Sequence, residues 1–145
     1  MAIWFSSPTV AELKARSANT LVELIGIEYT EIGEDYIRAR MPVDRRTVQP
    51  AGILHGGASV VLAETLGSVA AYLCIDPTQK MAVGLEINAN HVRSVREGYV
   101  TGTVRPLHIG HSTQIWDIHI RDDQKRPVCI SRITMAVLDK TNRSE

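Results

Sequence analysis

The sequence predicts an α+β domain in which a curved antiparallel sheet wraps one long central helix, and three features carry that expectation. One apolar run, GGASVVLAETLGSVAAYL, extends from Gly56 to Leu73. It is too long for a strand and has helix punctuation at its ends. Four extended segments follow it, and a hairpin signature precedes it. The expected order of the sheet and its central helix is therefore β-β-α-β-β-β-β.

The elements follow in chain order. Ser7 or Thr9 can cap a short amphipathic helix through Val10, Leu13 and Ala15, and residues 21–25 continue a helical lead-in that Gly26 ends. The period then changes from helical to alternating. Residues 27–32 and 36–41 flank Gly33-Glu34-Asp35, the composition of a hairpin turn. Residues 42–52 form a polar connection carrying Arg45, Arg46 and Gln49. The long helix follows, and Asp76-Pro77-Thr78 stops it, because proline lacks the N–H a helix needs. Strands are then expected over 81–95, 98–109, 112–121 and 127–138, broken by Arg96-Glu97-Gly98, Gly110-His111 and Asp122-Asp123-Gln124-Lys125. There is no internal repeat. One domain over residues 1–145 is expected, with a loose tail over 139–145.

Composition narrows the function. Lys plus Arg and Asp plus Glu are 16 each in 145 residues, so the net charge is zero. That speaks against a nucleic-acid binder or a membrane-surface protein, while leaving room for a local basic patch facing one anionic ligand. The amino-terminal stretch MAIWFSSPTVAELKARS has no basic region followed by an apolar run, unlike a secretory signal. The most apolar stretch contains Gly, Ser, Thr and Glu, which disfavours a membrane span. Cys74 and Cys129 form no CxxC and no zinc-ligand spacing, so reduced core thiols and a cytoplasmic location are expected.

Glu64 is the only formally charged residue from His55 to Ile75. In a buried helix an ionised carboxylate costs several kcal/mol unless it is partnered or protonated. Two readings follow: a structural carboxylate bonded to a neighbouring loop or Arg, or a catalytic acid. The helix start tilts the balance to catalysis. Gly56 and Gly57 let another molecule approach the backbone, and the first-turn N–H groups are unpaired donors at the positive end of the helix dipole. Such an end can hold a carbonyl oxygen as negative charge develops on it. Ser68 lies one turn beyond Glu64 on the same face. A polarising helix end and a carboxylate two turns along suit acyl transfer.

The segments QPAGILHGGASVVLAETLGS and LEINANHVRSV, together with the element order, resemble the hotdog-fold acyl-CoA thioesterases over nearly the whole chain. The resemblance is greatest to the branch of the menaquinone-pathway 1,4-dihydroxy-2-naphthoyl-CoA hydrolases and the enterobactin-pathway proofreading thioesterases. It implies that Glu64 attacks the thioester carbonyl or activates water, and that the Gly56 N–H polarises that carbonyl. It implies further that Gln49 and His55 hold the thioester and that Ser68 positions water or product. Each also has a plain structural reading: Gln49 can satisfy its own loop, His55 can simply start the helix, and Ser68 can bond back to the carbonyl of Glu64.

By the same resemblance His91 lies near the acyl group and Arg93 near the nucleotide, and the branch often carries a second His where this chain has Val92. Arg93, His111, Ser112 and Thr113 are candidates for the phosphates and pantetheine of CoA, with a solvated strand end as the alternative. His108, His111 and His119 have no completing ligand at a recognisable spacing, so no metal and no cofactor is expected. The resemblance implies an acyl-CoA substrate, with an acyl carrier protein as a second possible donor, and a homotetramer built as a dimer of dimers with composite sites. The leading expectation is hydrolysis of aromatic acyl-CoA. The rivals are a broad aliphatic or proofreading thioesterase, a non-catalytic acyl-CoA sensor and, more distantly, a dehydratase.

Overall fold

A computed structural model describes residues 1–140. Its elements are helices α1 (Val10–Arg16) and α2 (Leu21–Leu24), strands β1 (Glu28–Ile32) and β2 (Ile37–Pro42), helix α3 (Gly56–Leu73), and strands β3 (Lys80–His91), β4 (Tyr99–Ile109), β5 (Thr113–Asp122) and β6 (Pro127–Asp139). The six strands form one sheet in the order β1-β2-β4-β5-β6-β3, and every neighbouring pair is antiparallel. The expected α+β architecture and element order are those observed.

Local chemistry accounts for the short helices. Thr9 caps α1 in a reciprocal box: its hydroxyl accepts from the Glu12 N–H while the Glu12 carboxylate accepts from the Thr9 N–H. After the single turn of α2, Gly26 takes φ 80, a left-handed conformation that glycine adopts without strain. The hairpin between β1 and β2 closes where the Gly33 N–H donates to the Tyr36 carbonyl at 2.8 Å.

α3 lies across the concave face of the sheet. Leu62, Ala63, Leu66 and Ala70 are fully buried, and so are Trp116, Ile118 and Ile120 of β5. Trp116 stacks on Trp4 with ring centroids 6.4 Å apart, and Trp4 bonds the Gly33 carbonyl, which pins the amino-terminal segment onto the core. α3 is long and apolar enough to cross a membrane by composition alone, yet here it is the core helix against the sheet. At Gly67 the two layers approach so closely that a Cβ would meet Ile133 Cγ2 at 2.4 Å. Gly67→Ala is expected to lower stability by about 1 kcal/mol in urea unfolding, because overpacking a rigid β-branched neighbour outweighs alanine's better helix propensity.

Most strand boundaries shift from expectation by one residue, and the end of β3 shifts by more. β3 ends at His91 instead of running to Val95, because the chain leaves β6 after the Val92 N–H bonds the Val128 carbonyl. Val95 then turns inward and its carbonyl accepts from the Leu54 N–H, 2.7 Å, bracing the loop before α3. β5 begins at Thr113, one residue late, since Ser112 belongs to the turn. The expected loose tail is tied down at its start: Asp139 closes β6 with an ion pair to Lys80, 2.9 Å, and the Lys140 N–H bonds the Gln79 carbonyl. Residues 141–145 lie outside the described residues.

β3 is an edge strand of 12 residues, with no strand on its outer side among the described residues. Its exposed apolar side chains include Leu85, 64% exposed, and Met81, 39% exposed. Open, long edges of this kind present unpaired N–H and C=O groups, a template for pairing with another chain.

Candidate active site

The loop before α3 is folded to present Gln49 and the helix start. Thr47 is buried and its hydroxyl donates to the Pro42 carbonyl at 2.7 Å, anchoring the loop root. Val48 bridges to Leu54, and the Gln49 N–H bonds the Ile53 carbonyl. The Gln49 side-chain carbonyl accepts from the Ala51 N–H, so the self-satisfying role is realised for that oxygen. Its amide NH2 keeps two donors for other use.

His55 is the N-cap of α3. Its Nδ1 accepts from the Gly57 N–H at 2.8 Å, which in the neutral ring puts the proton on Nε2 and makes that exposed nitrogen a donor. The Ala58 and Ser59 N–H groups both reach the His55 carbonyl, at 3.0 and 3.3 Å. The Gly56 N–H has no acceptor among the described residues, so the helix leaves one donor open at its positive end. His91, the last residue of β3, lies against it: a Cβ on Gly56 would stand 2.9 Å from His91 Nε2. Gln49, Gly56, His91 and Arg93 line one cavity of about 430 Å³.

Glu64 and Ser68 line a different cavity, a groove of about 450 Å³ between α3 and the α1–α2 segment. The expectation that Glu64 is buried is overturned for the single chain, where it is exposed. An 18-residue helix on a sheet buries one face only, and Glu64 lies on the other with Val61, Thr65 and Ser68. Its Oε1 lies 3.3 Å from the Cβ position of Gly84, so the carboxylate sits over β3. The Ser68 hydroxyl makes no hydrogen bond among the described residues, and the back-bond to Glu64 is not formed. Gly56 and Glu64 are eight residues apart on one helix, roughly 12 Å along the axis. A single carbonyl cannot touch both groups of the same chain.

The other candidates divide in the same way. His111, Ser112 and Thr113 form the β4–β5 turn, where the Gly110 N–H bonds the Thr113 carbonyl and the Val137 N–H bonds the Ser112 carbonyl. Thr113 is in register with Ala136 and, through it, with Val83, one residue from Gly84 beneath Glu64. Arg93 lies just beyond the far end of β3. The eight residue steps from Val83 to His91 span about 26 Å, so the proposed CoA ligands are not gathered on one chain. Among the described residues no group of three or more His, Cys, Asp or Glu could hold a metal ion.

Residues that the sequence did not single out also line the Glu64 groove: Arg16, Ser17 and Tyr29 among them. No local signal could have found them, because they come from α1 and β1 and meet α3 only through the tertiary fold. Chemically the molecule offers an open N–H donor at a helix start and, elsewhere, a carboxylate beside a hydroxyl in a mostly apolar groove. An activated acyl group suits that pair: the donor can hold an oxyanion, and the carboxylate can act as base or nucleophile.

Comparison with known proteins agrees. The profile of the thioesterase superfamily matches residues 51–129. The chain is 54% identical over 136 residues to the 1,4-dihydroxy-2-naphthoyl-CoA hydrolase of Escherichia coli, covering 94% of this chain and 99% of that one. It is 52% identical over 136 residues to the proofreading thioesterase EntH of Cronobacter turicensis, covering 94% and 98%. The crystal structure of a mutant thioesterase from Pseudomonas aeruginosa superposes with a TM-score of 0.94 at 48% identity, covering 95% of this chain and 99% of that one. With six antiparallel strands around one central helix, and with relatives that align almost end to end, the chain belongs to the thioesterase superfamily and is a hotdog-fold hydrolase of thioester bonds.

Proposed function

We propose that the protein is a cytoplasmic thioesterase that hydrolyses aromatic acyl-CoA, of the 1,4-dihydroxy-2-naphthoyl or benzoyl type, to the free acid and CoA, with Glu64 as nucleophile or general base. The observation that carries the reading is the division of the site: an open Gly56 donor and the Glu64 carboxylate, in two cavities, beside an unpaired β3 edge. The acyl class is supported by the similarity to a protein named as a 1,4-dihydroxy-2-naphthoyl-CoA hydrolase.

Two copies paired through β3 complete the site. Gly56 touches His91, and Glu64 lies over Gly84. An antiparallel β3–β3 pair whose two-fold axis passes between Ile87 and Asn88 sets Gly84 opposite the partner's His91, and so Glu64 against the partner's Gly56. The same pairing brings Arg93 of one chain to the end that carries His111, Ser112 and Thr113 of the other. CoA phosphates and pantetheine would then meet both sets of donors. The resemblance extends this to a dimer of dimers.

In the complete site the thioester carbonyl accepts from the Gly56 N–H, and Gln49 and the Nε2–H of His55 hold the thioester. Glu64 takes a proton from water as the water adds to the carbonyl, or attacks the carbonyl itself to form an anhydride that water then opens. Either way the C–S bond breaks, CoA leaves as a thiolate and is protonated, and Ser68 orients the water. A thiolate is a good leaving group, so one carboxylate suffices without a metal.

A second reading, proofreading hydrolysis of misloaded aliphatic CoA or carrier-protein thioesters, is favoured by the similarity to the Cronobacter protein. A thiol-release assay across aryl- and alkyl-CoA thioesters separates the two. The aromatic reading expects kcat/KM for aryl-CoA to exceed that for butanoyl-CoA by at least ~10-fold, within the range that pocket fit supplies. Equal rates on both would favour the proofreading enzyme, and no thiol release from either would overturn both acyl assignments.

A further inference from the structure

The Glu64 groove runs along α3 under α1 and stops at a charge. Beyond it lies a second cavity of about 540 Å³, lined in part by Phe5, Tyr72 and Ile75, and the two cavities share Leu13 and Arg16. Leu13 is buried in the core, so α1 is a fixed roof. Arg16 is exposed and comes from the last turn of α1; its guanidinium carbon stands 3.9 Å from the Tyr72 ring centroid. Tyr72 is two turns past Glu64, roughly 12 Å along the helix. The guanidinium therefore stands as a partition between the groove that begins at the carboxylate and the apolar cavity behind. The partition is polar on its groove side. Ser17 donates to the Leu13 carbonyl at 3.0 Å, and Ser17 and Tyr29 line the groove beside Arg16.

We propose that Arg16 closes the distal end of the acyl groove and is a specificity-determining residue of this thioesterase, limiting the acyl group to about two fused rings and favouring rings that carry oxygen substituents. The inference rests on reading the Glu64 groove as the acyl site. With the thioester carbonyl at Glu64, a one- or two-ring acyl group fits before Tyr72 and turns its far edge to Arg16, Ser17 and Tyr29. A ring hydroxyl there accepts from the guanidinium. A long alkyl chain would instead desolvate a cation that it cannot bond, and would have to displace it to enter the cavity beyond.

The test compares wild type, Arg16→Ala and Arg16→Met on hydroxybenzoyl-, benzoyl-, butanoyl- and dodecanoyl-CoA. Arg16→Ala opens the partition, and is expected to shift the dodecanoyl-to-hydroxybenzoyl ratio of kcat/KM toward dodecanoyl by at least ~10-fold, the scale of pocket discrimination. Butanoyl-CoA, too short to reach the partition, should change by less than ~2-fold. Arg16→Met keeps the bulk and removes the donors, so it should lower the hydroxybenzoyl-to-benzoyl ratio while still excluding dodecanoyl. An unchanged ratio in an Arg16→Ala protein with wild-type Tm overturns the proposal. So does a parallel fall on all four substrates, which would assign Arg16 to the folding of α1 and not to selection. Full activity of Glu64→Gln is a separate result: it removes the acyl groove itself, and this inference with it.

Discussion

Glu64→Gln is expected to lower kcat by at least ~100-fold, the loss typical of removing one acid–base group, with KM changed little. Glutamine keeps the volume and the hydrogen-bonding shape of the side chain and removes only its charge and basicity. Glu64 is exposed in the single chain and has no ion-pair partner among the described residues, so its substitution leaves no buried group unsatisfied. Thermal stability should therefore stay close to wild type, as for most surface changes. That separation is the value of the variant. A large fall in kcat with an unchanged Tm and oligomer mass assigns the carboxylate to chemistry, and full activity would refute the assignment.

The exposure of Glu64 also marks where sequence reasoning stopped. A run as apolar as that from Gly56 to Leu73 reads as a buried rod, and its role as the central helix was legible from length and punctuation. Which face of that rod meets the sheet was not. Both faces are rich in Val, Leu and Ala, and the choice is made by contacts such as Gly67 against Ile133 and Leu66 over Gly102. Those contacts join residues far apart in the chain.

The strands fared similarly. Their order followed from the change of period and the Gly, Asp and Pro breaks, whereas the end of β3 depended on Val95 turning inward to brace the loop before α3. The helix-start residues were legible because a cap is local. His55 accepting from Gly57, with an open Gly56 donor beside it, uses only neighbouring residues. The groove wall was not, since Arg16 and Tyr29 reach Glu64 only in three dimensions.

Mixing inactive Glu64→Gln with inactive His55→Ala subunits is expected to restore part of the activity, and this result bears most directly on the composite site. Along α3 the open Gly56 donor and the carboxylate are roughly 12 Å apart, beyond the reach of one thioester carbonyl, so the proposed site draws its donor and its acid from different chains. In a mixed dimer one site combines two defects, and the other combines an intact carboxylate with an intact His-Gly turn. Each mixed dimer therefore carries one working site of two, and activity should rise with the fraction of mixed dimers. His55→Ala also removes the cap of α3, a loss of about 1 kcal/mol, so its melting temperature must be read alongside. The subunits must reassort, by co-expression or by refolding the mixture, and differently tagged chains allow the mixed species to be isolated. Mixed oligomers that form and stay inactive would place the acid and the His-Gly turn in the service of the same chain's site, against the distance along α3 and against pairing through the β3 edge.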